Sequence, residues 1–195
     1  MYNCIFSGHC TEQECDNACP ILVQTSYLLE QNGITMNNPI FHMDPISIEK
    51  YLRVIDKAKG SVSSYISNNT VYDADAITYL SICDYWKGSR LHTSVYNLKF
   101  SQYIDKLQKS WSYNGNKDEI DYIDIWAKQA KVLIVSNIDY VNFKDFQCQT
   151  LLQLLQLRMN PDLTTIIVTP QLSNLVGDGA FFARLTDLLK KRKVV

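Results

Sequence analysis

Cys4, Cys10, Cys15 and Cys19 stand within the first nineteen residues of a 195-residue chain, spaced Cys-x5-Cys-x4-Cys-x3-Cys. A segment this short cannot bury a core of its own, and a tetrahedral ion can supply the missing folding energy. Thiolates are the ligands zinc prefers, so the spacing predicts a small N-terminal knob held by one structural zinc on these four cysteines. The spacings are looser than a Cys-x2-Cys pair, which leaves three alternatives: an iron–sulfur cluster, two disulfides, or four unrelated buried thiols. His9 lies inside the cluster and is a substitute ligand, although four thiolates already complete a tetrahedron. His42 and His92 have no ligand-spaced neighbours, and Cys83 and Cys148 fall on apolar helical faces as expected of buried thiols.

Composition restricts what the rest of the chain does. The stretch from Met1 to Ile5 has no basic start and runs directly into the cysteines, which predicts a cytoplasmic protein rather than an exported one. No apolar run of about eighteen residues occurs, so no membrane span is expected. With 46% hydrophobic residues there is enough apolar chain for one α/β domain beside the knob. A formal net charge of −1 exerts no global pull on nucleic acid, so any such contact must come from a local patch.

The elements that would position chemistry follow from periodicity. Residues 21–29 read as a helix stopped by Gly33, and 35–41 as a polar linker. Asp44 and Pro45 look like an N-cap followed by proline at the first helical position. Ile48, Tyr51, Leu52 and Ile55 then trace one helical face up to Gly60. Beyond Ser61, short apolar runs alternate with helix-period stretches, the pattern of parallel strands joined by helical crossovers. Strands are expected over 62–67, 91–98, 132–136 and 164–169. Helices are expected over 75–86, along Phe100, Tyr103, Ile104, Leu107 and Trp111, and over 118–130, 144–159 and 181–191. The organisation expected is a cysteine-rich zinc-binding knob and helix over 1–36, a linker and packing helix over 37–60, and an α/β core over 61–195.

That order of strands and helices resembles the P-loop nucleotide-binding core. The cysteine cluster runs into Tyr27, Leu28 and Leu29, and the Val95-Tyr96 strand leads into Phe100-Ser101-Gln102-Tyr103. Together with the strands at Val132-Leu133-Ile134-Val135 and Ile166-Ile167-Val168-Thr169, these are similar to the AAA+ helicase loaders of the DnaC type. The likeness is greatest to the cysteine-bearing versions found in phages and mobile elements of Gram-positive bacteria. It covers essentially the whole chain and rests on the joint order of knob and core. It implies an AAA+-like parallel sheet with flanking helices, and a role in DNA replication.

The same resemblance exposes what is missing. A Gly-Lys-Thr loop should follow the first core strand, because backbone N–H groups and a lysine must cradle phosphates. The corresponding stretch contains Ser67, Asn68, Asn69, Tyr72 and Asp73, with no glycine or lysine, and neither Gly-Lys-Ser nor Gly-Lys-Thr occurs anywhere. Two acidic residues should end the third core strand, one for magnesium and one for the attacking water. Ser136 and Asn137 stand there instead, and Asp139 beyond them reads as a turn residue. After the fourth strand Thr169 is kept, but Pro170 and Gln171 follow where a polar sensor is expected.

The expectation is therefore a pseudo-ATPase that binds no ATP and is not an enzyme. By resemblance, Arg184 matches the finger arginine of these loaders, which acts on a neighbour's nucleotide. A surface arginine on a helix is its plain alternative. The partners implied are a replicative helicase or an active AAA+ loader paralogue. Lys190-Lys191-Arg192-Lys193 suits weak contact with single-stranded DNA, and equally suits a helix C-terminus, where cations offset the dipole. Two other functions stay open: an inhibitor occupying the loader's place on the helicase, and an ATPase with a rearranged phosphate loop.

Overall fold

A computed structural model of the chain describes residues 20–35, 37–87, 94–112 and 115–194. The cysteine cluster and His9 lie outside the described residues, as do His92 and the first residues of the strand expected over 91–98. The elements in order are α1 (Pro20–Gln31), α2 (Pro45–Ala58), β1 (Val62–Ile66), α3 (Thr70–Lys87), β2 (Val95–Lys99), α4 (Phe100–Ser110), α5 (Lys117–Gln129) and β3 (Val132–Ser136). There follow β4 (Asn142–Phe143), α6 (Asp145–Leu157), β5 (Thr164–Thr169), β6 (Val176–Gly177), α7 (Gly179–Lys191) and β7 (Lys193–Val194).

Local chemistry explains where the first helices start and stop. Asp44 caps α2 by accepting from the Ser47 amide at 2.9 Å and hydroxyl at 2.6 Å, and Pro45 occupies the first helical position with its fixed φ. Gly60, at φ +67, ends the helix in a conformation that an L side chain rarely adopts, and a Cβ there would meet the Pro161 carbonyl oxygen at 2.7 Å. Asn116 caps α5, with Asp118 and Glu119 in the first turn favoured by the helix dipole. The segment 35–41 does more than link: Pro39–His42 forms a 3-10 turn whose Ile40 is 1% exposed, so it joins the core.

The main sheet has five strands in the order β2-β3-β5-β1-β7, and every pairing is parallel. Beside it, β4 and β6 make a separate two-stranded parallel pair. Because successive strand residues face opposite sides, Val132 and Ile134 pack under α1, α2 and α3, whereas Leu133 and Val135 pack against the α4 to α7 side. This is the three-layer α/β arrangement that alternating apolar runs imply, with strands buried on both faces. Among the described residues no helix is long and apolar enough to cross a membrane.

One buried group belongs wholly to the framework. Arg158 follows α6 and is 0% exposed, with no carboxylate partner among the described residues. Its guanidinium donates to the Ala127 and Lys128 carbonyls at 3.1 Å each, to the Thr164 carbonyl at 2.8 Å and to the Thr165 hydroxyl at 2.7 Å. It therefore satisfies carbonyls in the last turn of α5 and ties them to the start of β5. Burial pulls its pKa down to about 10, so it remains charged at neutral pH.

Candidate functional site

In open parallel sheets, ligands bind beyond the carboxyl ends of the strands, so the loops after β1, β3 and β5 are where chemistry should sit. The loop after β1 is only residues 67–69, because Asn69 starts α3 early. Its side-chain oxygen accepts from the Tyr72 amide at 3.2 Å, and its carbonyl accepts from the Asp73 amide at 2.9 Å. Ser67 extends the strand through its amide, bonded to the Thr169 carbonyl at 2.8 Å, and its hydroxyl oxygen accepts from the Asn69 amide at 3.0 Å. The amides of Ser67, Asn69, Tyr72 and Asp73 are thus all bonded to the chain itself. Asn68 is exposed, and Tyr72 is half-buried against the core.

Asp73 stands near the position where a phosphate-binding loop has its lysine. It is 7% exposed and faces inward: its carboxylate accepts from the Tyr51 hydroxyl at 2.5 Å and from the Ser67 hydroxyl at 2.6 Å. Burial, and then this bond to Asp73, raise the Tyr51 pKa well above the ordinary phenol value. Burial likewise raises Tyr65, against which Lys50 rests with its nitrogen 5.5 Å from the ring centroid. A hydrogen bond with Tyr65 raises Lys50 in turn. The result is a closed polar network linking α2, β1 and α3.

After β3, Ser136 is 1% exposed and donates to the Asn97 side-chain oxygen at 2.7 Å. Asn137 takes the left-handed conformation, φ 57, where asparagine is tolerated better than most residues. Asp139 lies in the 3-10 turn Ile138–Tyr140, as its reading as a turn residue requires, and it does something further. One carboxylate oxygen accepts from the Thr70 hydroxyl at 3.1 Å, and the other is buried without a partner among the described residues. Thr70 and Asp139 therefore join the start of α3 to the loop after β3. Neither residue stands out in the sequence, because Thr70 falls inside the stretch that corresponds to a phosphate loop and Asp139 sits three residues past the strand. After β5, the Thr169 hydroxyl bonds to the Pro170 carbonyl at 3.1 Å.

Arg184 lies on α7, exposed, beside Leu185, which is 0% exposed, and it has no ion-pair partner among the described residues. It belongs to a different element from the β1 turn. In the basic run, Lys191 pairs with Asp187 at 2.8 Å across one helical turn, and the Arg192 carbonyl accepts from the Ser64 amide at 2.9 Å. Lys193 then enters β7, so this run both ends α7 and forms the sheet's edge. At the far edge, a cavity of about 220 Å³ lies between the end of α1, β2 and α4, separated from β1 by two strands. Asp75 on α3 accepts from Asn38 at 2.9 Å, and burial raises its pKa against the opposing effects of that bond and of Lys99. Among the described residues no group of three or more histidines, cysteines or acids is placed to hold a metal ion. No protein-family model and no curated protein sequence matches the chain.

Proposed function

We propose that the chain is a non-catalytic relative of the DnaC-type AAA+ helicase loaders, acting in replication of a phage or mobile element through protein–protein contact. Its five-stranded sheet, with β5 between β1 and β3, is compatible with a P-loop core. The observation that carries the reading is the β1–α3 turn. A phosphate cradle needs free backbone N–H groups converging on a cavity, with a cation beside them. Here the turn at 67–69 has no glycine or lysine, its Asn69 amide bonds to the Ser67 hydroxyl, the Asn69 side chain takes the Tyr72 amide at the start of α3, and a carboxylate is packed behind it. A zinc held by Cys4, Cys10, Cys15 and Cys19 is part of the same proposal, and rests on their spacing alone.

With no nucleotide of its own, such a chain works by what it presents to a neighbour. Exposed Arg184 suits a charge supplied to another subunit's phosphates. The test is to mix the chain with the replicative helicase and with an active AAA+ loader from its host. We expect co-elution on sizing and a raised ATPase rate in the loader mixture. An arginine supplied in trans is worth about 10³–10⁵ in rate, so Arg184→Ala should remove most of that gain. The variant's own stability should change by no more than about 0.5 kcal/mol, because the side chain is exposed. Absence of co-elution with both proteins, and an unchanged rate with parent and variant alike, would refute the reading.

A second reading has one specific observation in its favour. The Thr70–Asp139 pair, with an unpartnered carboxylate oxygen, brings a hydroxyl and an acid together from the loops after β1 and β3. P-loop enzymes hold magnesium with such a pair. An ATPase with a rearranged phosphate loop is therefore the alternative that nucleotide binding must decide.

A further inference from the structure

β2 is an edge strand, and an edge presents unpaired N–H and C=O groups to any strand that approaches. The Ser94 carbonyl accepts from the Val132 amide, so in a parallel ladder residues 94, 96 and 98 turn their backbone groups toward β3. Residues 95 and 97 then turn theirs outward. Natural edges are usually blunted by proline or by several charges. The β2 sequence Val-Tyr-Asn-Leu-Lys has no proline and a single charge, at Lys99.

Two of the four outward groups are nevertheless occupied, the Val95 carbonyl and the Asn97 amide. The Asn32 side-chain oxygen accepts from the Asn97 amide at 2.5 Å, and the Asn32 side-chain nitrogen donates to the Val95 carbonyl at 3.2 Å. A carboxamide carries the same donor and acceptor as a peptide group, so this one side chain makes the two central bonds of the four that a neighbouring strand would make at Val95 and Asn97. It is also held firmly in place. Asn32 is 3% exposed, and its side-chain nitrogen donates a second bond to the Leu28 carbonyl at 2.7 Å. Gly33, at φ +70, lets the chain turn tightly against β2, where a Cβ would come within 2.9 Å of the Lys99 nitrogen. Ile34 closes the turn with its amide on the Leu29 carbonyl at 2.9 Å.

We propose that the Asn32 carboxamide is an edge plug, which keeps β2 from adding a strand from a second copy of this chain. A second copy is the natural occupant, because an open edge meets its own duplicate about a two-fold axis and needs no other complementary surface. The device depends on neither nucleotide nor helicase.

The experiment compares the full chain with Asn32→Ala and Asn32→Asp by sedimentation over a wide concentration range and by amide hydrogen exchange. We expect Asn32→Ala to show concentration-dependent association that the parent lacks. Asn32→Asp keeps the acceptor for the Asn97 amide and should fall between the two. In dilute Asn32→Ala the Asn97 amide should exchange at least about tenfold faster, the loss of roughly one hydrogen bond. The Leu98 amide, bonded to β3, should not change, and protection at Asn97 should return at high concentration. Asn32→Ala that folds without new association, or with Asn97 exchange unchanged, would overturn the proposal. Should Asn32→Ala fail to fold, Asn32→Asp and the parent decide: a parent Asn97 amide exchanging like an unbonded one, or an Asp variant that does not associate, overturns it equally.

Discussion

Replacing Arg158 with methionine should lower stability by about 2–6 kcal/mol, a large share of the 5–15 kcal/mol typical of a folded domain. Methionine fills a similar volume but donates nothing. The substitution leaves the Ala127 and Lys128 carbonyls without the donor that satisfies them inside the fold, and takes a second donor from the Thr164 carbonyl, which the ladder to β3 already pairs. Each orphan costs on the order of 1–3 kcal/mol, and both lie at the C-terminus of α5, where a cation also offsets the helix dipole. Arg158→Lys should recover only part, since an ammonium lacks the planar fork that reaches three separate carbonyls. Urea unfolding measures the difference. A loss below about 1 kcal/mol for Arg158→Met would show that these bonds contribute little beyond burial.

Alkaline pH should destabilise the fold steeply. Tyr51, Tyr65 and Tyr103 have pKa values raised first by burial, and burial pushes Tyr96 up to about 12. Bonds to Asp73 and Asp124 add to the shifts at Tyr51 and Tyr103, the latter at 2.7 Å. A phenol with a raised folded pKa keeps its proton in the fold and loses it on unfolding. The native state therefore binds more protons above pH 10, and stability falls as pH rises. This contribution is fully present below about pH 10 and is lost as pH climbs toward the folded values. Each fully shifted tyrosine gives about 1.4 kcal/mol per pH unit, so Tyr51, Tyr96 and Tyr103 together approach about 4 kcal/mol per unit, and Tyr65 adds in the same direction. Cys148, pushed up by burial to about 11, acts in the same direction. Arg158 acts oppositely, its pKa lying below the ordinary 12.5, but it is one group against several. Unfolding curves at pH 8, 10 and 11 would show the slope, and Tyr51→Phe should reduce it. Stability that stays flat from pH 9 to 11.5 would contradict the account.

The parallel α/β character was legible because the strands over 132–136 and 164–169 carry the apolar runs Val132–Val135 and Ile166–Val168, and Gly33, Asp44, Pro45 and Gly60 mark helix ends by local chemistry. What escaped was set by contacts distant in sequence. Arg158 reads as one more basic residue after a helix, since its partners belong to α5 and β5. Asn32 reads as a polar residue past a helix, because the strand it covers lies more than sixty residues away. The helix expected over 75–86 starts at Thr70 instead, because Asn69 caps it inside the stretch that corresponds by resemblance to a phosphate loop. Strands β4, β6 and β7 have two residues each, too few to show a period of two.

The claim that an ATPase-like sheet here carries no phosphate site is tested most directly by calorimetric titration of the full chain with magnesium and ATP, and with a non-hydrolysable analogue. The turn at 67–69 and the inward Asp73 predict no saturable heat in the physiological range and no rise in melting temperature with nucleotide, because a ligand stabilises only by binding the native state. A stoichiometric, micromolar or tighter association, weakened by Thr70→Ala or Asp139→Asn, would contradict that prediction and place magnesium and phosphate at the Thr70–Asp139 pair.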